Sequence, residues 1–385
     1  MKSKSVCLFH GVTSSGKTEI YIKYIEEVIL SGKQVLFLVP EIALTSQLVF
    51  RFKDYFGSKV IVYHSRFNPN ERVEIWNKVL ENSEEAKIII GARSSVLLPF
   101  KKLGLVIVDE EHETSYKQFD PTPRYQARDT AIVLANFFNA KTILGSATPS
   151  LESYFNAVKT NKYGYVSLDK RYNNIMLPKI ELVDLADSYK RKRMNGHFSH
   201  RLIKEIGNTL DSNHQVILFQ NRRGYAPIIN CNTCGYTPQC SNCDVSLTYH
   251  QKKQQLRCHY CSYNISLIKQ CSACGGFELD YKGFGTEQIQ EQVKKLFPNS
   301  SVKRMDYDTT RGKYSYDKII ESFEKREVDI LVGTQMLTKG LDFRFVKLVG
   351  VLNADQLINF PDFRSHERSY QLLQQVAGRS GRTDI

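Results

Sequence analysis

The sequence "GVTSSGKT", Gly11 to Thr18, has the spacing G-x-x-x-x-G-K-[ST] of a phosphate-binding loop. An apolar segment precedes this phosphate loop and an amphipathic segment follows it, which predicts the strand, loop and helix order that the motif requires. We expect Lys17 to contact the β- and γ-phosphates and Thr18 to hold Mg²⁺. A glycine-rich turn without a ligand is the alternative. The predicted nucleotide-binding residues are Gly11, Thr13, Ser14, Ser15, Gly16, Lys17 and Thr18.

The sequence "LVIVDEEH" predicts the partner of the phosphate loop, because it ends an apolar strand in acids. We expect Asp109 to bind Mg²⁺ through its water shell and Glu110 to orient and activate the attacking water. Acids at the carboxyl end of a strand lie where α/β sheets bind ligands. A surface cluster of acids is the alternative, but it fits poorly after four apolar residues. The two motifs together predict a nucleoside triphosphate hydrolase that uses Mg²⁺.

The sequence "QVAGRSGR" has the pattern Q-x-x-G-R-x-x-R, formed by Gln375, Arg379 and Arg382. The two arginines are three residues apart, so their guanidinium groups can face the same way on a helix. We expect them to stabilise the transition-state charge on the γ-phosphate from a second domain, which requires the domains to close. A basic helix end favoured by the helix dipole is the alternative.

The sequence "GSATPS" contains Ser146 and Thr148, small hydroxyl residues placed to sense the state of the nucleotide. A strand end that caps a helix explains these residues equally well.

Eight of the nine cysteines form four C-x-x-C pairs within a segment of about 230–281. No secretory signal is visible, and thiols at this spacing in a reduced compartment are typical metal ligands. The inner pairs have the spacing of one tetrahedral Zn²⁺ site, and the outer pairs flank them and close a second site. Sequential pairing of neighbouring motifs and an iron–sulfur cluster stay open. The predicted ligands are Cys231, Cys234, Cys271 and Cys274 for one Zn²⁺, and Cys240, Cys243, Cys258 and Cys261 for the other.

Short runs rich in Val, Ile and Leu alternate with amphipathic segments along the rest of the chain, which predicts an α/β protein with parallel sheets. We predict a first domain over 1–165, a linker and the start of the second domain over 166–215, and a second domain over 216–385. The cysteine segment, 230–281, is predicted to be a zinc-binding insertion in the second domain.

The chain has 385 residues and a net charge of +13, which favours a polyanionic partner such as nucleic acid. We find no apolar run long enough to cross a membrane and no secretory signal. These features predict a soluble cytoplasmic protein without a membrane partner.

In this order of motifs the chain resembles the superfamily 2 helicases, and within them the PriA family of primosomal replication-restart helicases. The resemblance covers residues 5 to 382. Besides the eight-cysteine segment, it rests on "GVTSSGKTEIY", "VPEIALTSQ", "GARSSVLLPF", "DEEHETSYKQ", "PRYQARD", "GSATPSLES", "FQNRRGYAP", "GTQMLTKGLDF", "LNADQ", "PDFRSHER" and "QVAGRSGR".

The resemblance implies two RecA-like domains that bind ATP in the cleft between them. It implies a 3′-to-5′ DNA helicase that acts at stalled or collapsed forks and initiates primosome assembly and replication restart. The implied partners are forked and single-stranded DNA, primosome proteins and single-stranded DNA-binding protein. We expect a monomer in the bacterial cytoplasm, associated with the nucleoid. We also expect only the helicase core of the family, without its N-terminal DNA-binding and C-terminal domains.

The resemblance further implies residues that face the translocated strand or couple it to hydrolysis. Backbone-directed contacts are expected from Thr45, Gln47, Arg93, Ser94 and Thr338. In the aromatic loop, Glu113 to Asp129, base stacking and phosphate contacts are expected from Tyr116, Lys117, Phe119, Arg124 and Tyr125. Packing of these rings on the domain is the alternative. An RNA helicase, or a DNA-binding scaffold with weak ATPase, are the other functions that the sequence permits.

Overall fold

The computed structural model describes residues 4–40, 46–64, 67–220, 228–243, 245–250, 254–258, 261–280, 286–306, 309–310, 315–334, 337 and 343–381. The chain divides into two units, Met1–Met176 and Leu177–Ile385. The first unit extends beyond the predicted border at 165, because a strand at 164–168 joins its sheet. Within the described ranges, no helix combines the length and the apolar character needed to cross a membrane.

The first unit is built from seven strands and five helices in its described part. The strands are β1 Val6–Gly11, β2 Gln34–Leu38, β3 Val60–Tyr63, β4 Ile88–Gly91, β5 Leu103–Asp109, β6 Lys141–Ser146 and β7 Gly164–Leu168. The helices are α1 Lys17–Leu30, α2 Ser46–Phe56, α3 Pro69–Leu80, α4 Ala127–Phe137 and α5 Leu151–Tyr154. The six apolar runs of the sequence form β1 to β6, as predicted. The sequence analysis did not predict β7, whose polar and exposed residues lack an apolar run.

All seven strands of the first unit pair in parallel in the order β3-β4-β2-β5-β6-β1-β7. The central strands are buried on both faces, which explains their continuous apolar sequences. One face packs Leu36, Leu38 and Val106 against α4, and the other packs Phe37 and Ile107 against α1 and α2. The strand order places the carboxyl ends of β5 and β1 on either side of β6.

The second unit contains a parallel sheet, three small antiparallel sheets and six helices in its described part. The strands are β8 Met194–Asn195, β9 Phe198–Ser199, β10 Gln215–Phe219, β11 Asn230–Cys231, β12 Thr248–His250, β13 Gln255–Arg257, β14 Asn264–Ser266, β15 Leu279–Asp280, β16 Val302–Met305, β17 Ile330–Gly333 and β18 Val346–Val351. The helices are α6 Leu185–Lys190, α7 His200–Asp211, α8 Thr286–Leu296, α9 Ser315–Glu324, α10 Asp355–Ile358 and α11 Ser365–Ala377. The parallel sheet has the order β16-β17-β10-β18.

A buried glutamine begins an interior strand of each parallel sheet, β2 in the first unit and β10 in the second, and connects that strand to a helix end. Gln34 Nε2 donates to the carbonyl of Val79, 2.9 Å away, and its Oε1 accepts from the backbone N–H groups of Lys101 and Lys102 at 2.9 and 3.1 Å. In the second unit, Gln215 Nε2 donates to the carbonyl of Phe323 at 2.7 Å. These bonds connect each strand to the end of a neighbouring helix, and in the first unit they also give partners to the backbone N–H groups of Lys101 and Lys102.

We predict that Gln34→Leu lowers the stability of the first unit, because it keeps the side-chain size but removes three hydrogen bonds of a buried side chain. The expected loss is about 3 kcal/mol, measured by urea unfolding followed by circular dichroism. Gln288→Leu, at an exposed position of α8, is the matched control and should change little. Equal losses in the two variants would contradict the importance of the Gln34 bonds.

Candidate nucleotide site and zinc centre

The phosphate loop connects β1 to the first turn of α1 through two residues with left-handed backbone, Ser14 at φ 61° and Gly16 at φ 85°. A Cβ at Gly11 would lie 2.7 Å from Ser15 Oγ, so a side chain there would force Ser15 to shift. Lys17 Nζ folds back to donate to the carbonyls of Gly11 at 2.6 Å and of Val12 at 3.3 Å. The loop therefore has the fold of an anion cradle at a helix N-terminus.

The donor chemistry of this loop fits a nucleotide phosphate. Ser15 Oγ is buried and has no hydrogen-bond partner among the described residues. A phosphate oxygen would supply the missing partner, and it would also replace the loop carbonyls as the acceptor for the Lys17 ammonium group.

The segment after β7 supports the phosphate loop from the side. The backbone N–H of Val12 donates to the carbonyl of Leu168 at 3.0 Å, and that of Tyr172 donates to the carbonyl of Ser14 at 2.9 Å. The buried Arg171 donates to Thr13 Oγ1 at 3.3 Å. The sequence analysis missed this support because β7 itself was not predicted.

Asp109 ends β5, and Tyr21 of α1 donates a hydrogen bond to its Oδ1 at 3.2 Å. Desolvation and the neighbouring Glu110 carboxylate raise the pKa of Asp109 to about 7, and the Lys17 ammonium group opposes that rise. The structure thus brings the phosphate loop and the acidic strand end together. A bound cation would restore the ionised form of Asp109, so the carboxylate is suited to Mg²⁺.

Ser146 lies beside the acidic motif "DEEH", Asp109 to His112. Its Oγ is 2.8 Å from His112 Nδ1 and accepts from the Thr148 backbone N–H at 2.9 Å. Ser146 and Thr148 are both buried. This geometry connects the "GSATPS" segment to the acidic motif and fits the predicted sensing role, which stays a prediction.

Tyr116 of the aromatic loop packs on the domain, which is the alternative that the sequence left open. Tyr116 is only 1% exposed, and its hydroxyl donates to the carbonyl of Asp109 at 2.6 Å. Its ring fills the core beneath β5 and cannot stack on a base, so only the coupling part of its predicted role fits. Phe119, by contrast, is 66% exposed. Arg93 donates to the carbonyl of Lys117 at 2.9 Å and so holds the loop near the "GARSS" segment.

The remaining predicted contact residues have diverse surroundings. Arg124 is exposed, and Ser94, Tyr125 and Gln47 are half-buried. Gln375 and Arg379, which belong to the second unit, are buried. Thr45, Thr338 and Arg382 lie outside the described residues.

Glu111 is a second residue that the sequence analysis missed. It is fully buried, and its carboxylate accepts hydrogen bonds from Ser150, Ser153 and Arg128. Glu111, Arg128, Ser150 and Ser153 all lie within segments quoted for the family resemblance, but no sequence spacing relates them.

The eight cysteines form two clusters in a nested arrangement, in which the two outer C-x-x-C pairs form one cluster and the two inner pairs form the other. Cys231, Cys234, Cys271 and Cys274 form one cluster, and Cys240, Cys243, Cys258 and Cys261 form the other, with the sulfur atoms of each within 4.8 Å of one another. Sulfur pairs lie 3.6 Å apart in the first cluster and 3.4 Å apart in the second. Four thiolates at about 2.3 Å from a Zn²⁺ require sulfur separations of about 3.8 Å, so each cluster suits a tetrahedral structural zinc site.

Local turns present these sulfur atoms. The backbone N–H groups of Gly235 and Gly275 donate to the carbonyls of Cys231 and Cys271 at 2.8 and 2.9 Å, and both glycines have left-handed backbone. Each turn leaves the two cysteines of a pair on the same side.

Comparisons with known families agree with this arrangement. The DEAD/DEAH box helicase family matches residues 1–156, the PriA DNA helicase Cys-rich region domain matches 240–265, and the helicase conserved C-terminal domain matches 284–384. Replication restart protein PriA of Bacillus subtilis is 45% identical over 98% of this chain and 46% of its own length. The protein of that name from Haemophilus influenzae is 45% identical over 99% of this chain and 51% of its own length. The chain thus spans about half the length of these relatives.

Solved structures support the fold. The DUF1998 helicase MrfA bound to DNA superposes with a TM-score of 0.56 at 16% identity, and covers 99% of this chain and 43% of that one. RecG bound to a three-way DNA junction has a TM-score of 0.53 at 16% identity, and the match covers 98% of this chain and 38% of that one. Dbp5 of S. cerevisiae bound to RNA and ADP BeF3 has a TM-score of 0.55 at 14% identity, and the match covers 99% of this chain and 77% of that one. At these identities the likeness concerns the fold alone.

The first parallel sheet carries a phosphate loop after β1 and an acidic end on β5. Together with the second parallel sheet and the family matches, it defines a superfamily 2 helicase core of two RecA-like domains. The cysteine segment and the identity to curated relatives narrow this class further. Over almost its whole length, the chain is similar to the curated proteins named replication restart protein PriA, and residues 240–265 match the PriA Cys-rich region domain.

We predict that Asp109→Asn stabilises the nucleotide-free protein in Mg²⁺-free buffer at pH 8. The pKa of Asp109 rises from 3.8 to about 7 on folding, so ionisation costs the folded state stability as the pH increases through this range. The gain in Tm, measured by circular dichroism, should be largest at pH 8 and should shrink as the pH falls below 7. A gain independent of pH would contradict this origin.

We predict that the wild-type chain binds two Zn²⁺, measured by atomic emission. The single variant Cys240→Ser and the double variant Cys240→Ser/Cys258→Ser should each bind one Zn²⁺. The nested grouping places these two cysteines at the same ion. Loss of both ions in the double variant would instead indicate sequential pairing. Cys7→Ser, at a buried cysteine outside both clusters, is the control and should retain two ions.

Proposed function

We propose that this chain is the motor core of an ATP-dependent DNA helicase that moves 3′ to 5′ and acts at stalled or collapsed replication forks. In this proposal it initiates primosome assembly and replication restart. The observation that carries the proposal is the proximity of the phosphate loop to Asp109, in a chain that is 45% identical to proteins named for replication restart.

The proposed hydrolysis uses residues in distinct roles. Lys17 exchanges the loop carbonyls for β- and γ-phosphate oxygens, and Asp109 and Thr18 hold Mg²⁺, which neutralises phosphate charge when bound. Glu110, whose carboxylate is partly exposed, orients the attacking water and accepts its proton. Arg379, Arg382 and Gln375 of the second unit complete the catalytic set by stabilising the charge that develops on the γ-phosphate.

The proposed substrates are forked and single-stranded DNA, bound chiefly through the backbone. The net charge of +13 supports a polyanionic partner. We propose that the two zinc sites fold the cysteine segment and that this segment meets the fork or partner proteins, which include primosome proteins and single-stranded DNA-binding protein. The proposed state is a monomer in the bacterial cytoplasm, at the nucleoid.

The test is steady-state ATP hydrolysis with no nucleic acid, with forked DNA, with single-stranded DNA and with single-stranded RNA. We expect forked or single-stranded DNA to stimulate hydrolysis and RNA not to. Lys17→Ala should abolish the activity, because it removes the contact to the β- and γ-phosphates. Lys23→Ala, an exposed lysine of the same helix, should retain it.

Two other outcomes would redirect the proposal. Stimulation by RNA alone would indicate an RNA helicase. A flat response from folded, zinc-loaded protein that still binds forked DNA would indicate a scaffold.

A further inference from the structure

We propose that Glu111 and Arg128 are positioning residues for hydrolysis, which hold the backbone of Glu110 in the conformation that presents its carboxylate to the attacking water. This inference rests on the proposed function and deepens it, since it concerns the same site. Neither residue contacts the nucleotide in this proposal.

Glu110 has a backbone that an ordinary residue avoids. Its φ of 49° lies in the left-handed region, which is strained for a side chain larger than glycine. Such a conformation persists only where the surrounding structure enforces it. The enforcement must therefore come from groups that fix the residues on both sides of Glu110.

The groups that precede Glu110 are fixed by Tyr116, whose hydroxyl binds the Asp109 carbonyl at 2.6 Å. The residue that follows is fixed twice. The Glu111 backbone N–H donates to the Gly145 carbonyl at 3.1 Å, and the Glu111 side chain is buried and completely engaged.

The Glu111 carboxylate is held from the starts of two helices. Its Oε1 accepts from the Ser150 backbone N–H at 2.7 Å, and its Oε2 accepts from Ser150 Oγ at 3.0 Å and from Ser153 Oγ at 2.8 Å. Arg128, in the first turn of α4, donates to Oε2 at 3.0 Å and to Ser150 Oγ at 2.8 Å. The backbone after Glu110 is thus anchored to the starts of α4 and α5 at once.

A purely structural role for this ion pair is the competing explanation. Stability alone is a poor reason for it, because a buried ion pair is often no more stable than well-packed apolar residues of the same volume. Its placement directly after the proposed catalytic glutamate, with a backbone strain to maintain, points instead to the orientation of Glu110. The two explanations differ in what the removal of the charge does to kcat.

The first experiment compares Glu111→Gln with Lys87→Met in the DNA-stimulated ATPase assay. Lys87 is a matched control, because it is also buried and pairs with Glu84 at 3.1 Å. It precedes β4, so it lies at the amino ends of the parallel strands, whereas Glu111 lies at their carboxyl ends. Both variants should lower the Tm. Only Glu111→Gln should lower kcat, by about 10- to 100-fold, because small misplacements of catalytic groups have effects of that size.

The affinity for a non-hydrolysable ATP analogue, measured by fluorescence titration, should stay within about twofold of the wild-type value in Glu111→Gln. Arg128→Lys, which keeps the charge, should lower kcat less than Glu111→Gln. If Glu111→Gln fails to fold, Arg128→Lys against Lys87→Met makes the same comparison.

The decisive measurement is a double-mutant cycle with Glu110→Gln. If Glu111 acts through Glu110, then Glu111→Gln should reduce kcat further by less than about twofold in the Glu110→Gln background. If Glu111→Gln lowers kcat by the same factor in the Glu110→Gln background as in the wild type, the inference is overturned. An unchanged kcat in Glu111→Gln, or an equal loss of kcat in Lys87→Met, would overturn it as well. A wild-type chain without any ATP hydrolysis would overturn the proposed function, and this inference with it.

Discussion

The site depends on a close approach between Tyr21 and the backbone of Gly145. A Cβ at Gly145 would lie 1.8 Å from the Tyr21 hydroxyl, so only glycine allows this ring to cross the end of β6. Because β6 separates β1 from β5 in the sheet, the crossing is what lets α1, which follows the phosphate loop, hydrogen-bond to Asp109. The residue after Gly145 is Ser146, so the same strand end also contacts His112 of the acidic motif. The glycine at position 145 therefore allows the phosphate loop with α1, the acidic motif and the "GSATPS" segment to come together.

This arrangement is unfavourable without a ligand. Asp109 is desolvated beside Glu110, and Glu110 itself has a strained backbone. Lys17 is bound to loop carbonyls, and Ser15 Oγ has no partner among the described residues. A phosphate or its cation would give Asp109, Lys17 and Ser15 better partners, so binding would recover part of this lost stability. Unfavourable groups are expected at a functional site and are offset by the rest of the fold, here by a sheet buried on both faces.

The sequence predicted the parts of this molecule that depend on local spacing. The phosphate loop, the six apolar strands of the first sheet and the nested cysteine pairs follow from motifs a few residues long or from runs of apolar residues. The sequence left the packing of Tyr116 open, because burial of an aromatic ring in a polar segment depends on the residues packed around it. Glu111 and Arg128 were missed because a carboxylate and a guanidinium 17 residues apart in sequence meet only through the sheet topology. Arg171 was missed for the same reason, since it reaches the phosphate loop through an edge strand without an apolar pattern.

The cysteine segment follows a different physical logic from the two parallel sheets. Its described part has strands of two or three residues and one small apolar cluster around Ile229, Leu247 and Leu256. Short antiparallel strands with so little buried area are not stable alone in water. Two four-cysteine sites would supply the missing free energy, because metal binding to a site absent from the unfolded chain stabilises the folded state. The segment can then keep its polar and exposed residues for contacts outside the chain, since its fold does not depend on burying them. A sheet domain built on apolar burial has no such freedom, and this explains why the two parallel sheets and the cysteine segment have such different sequences.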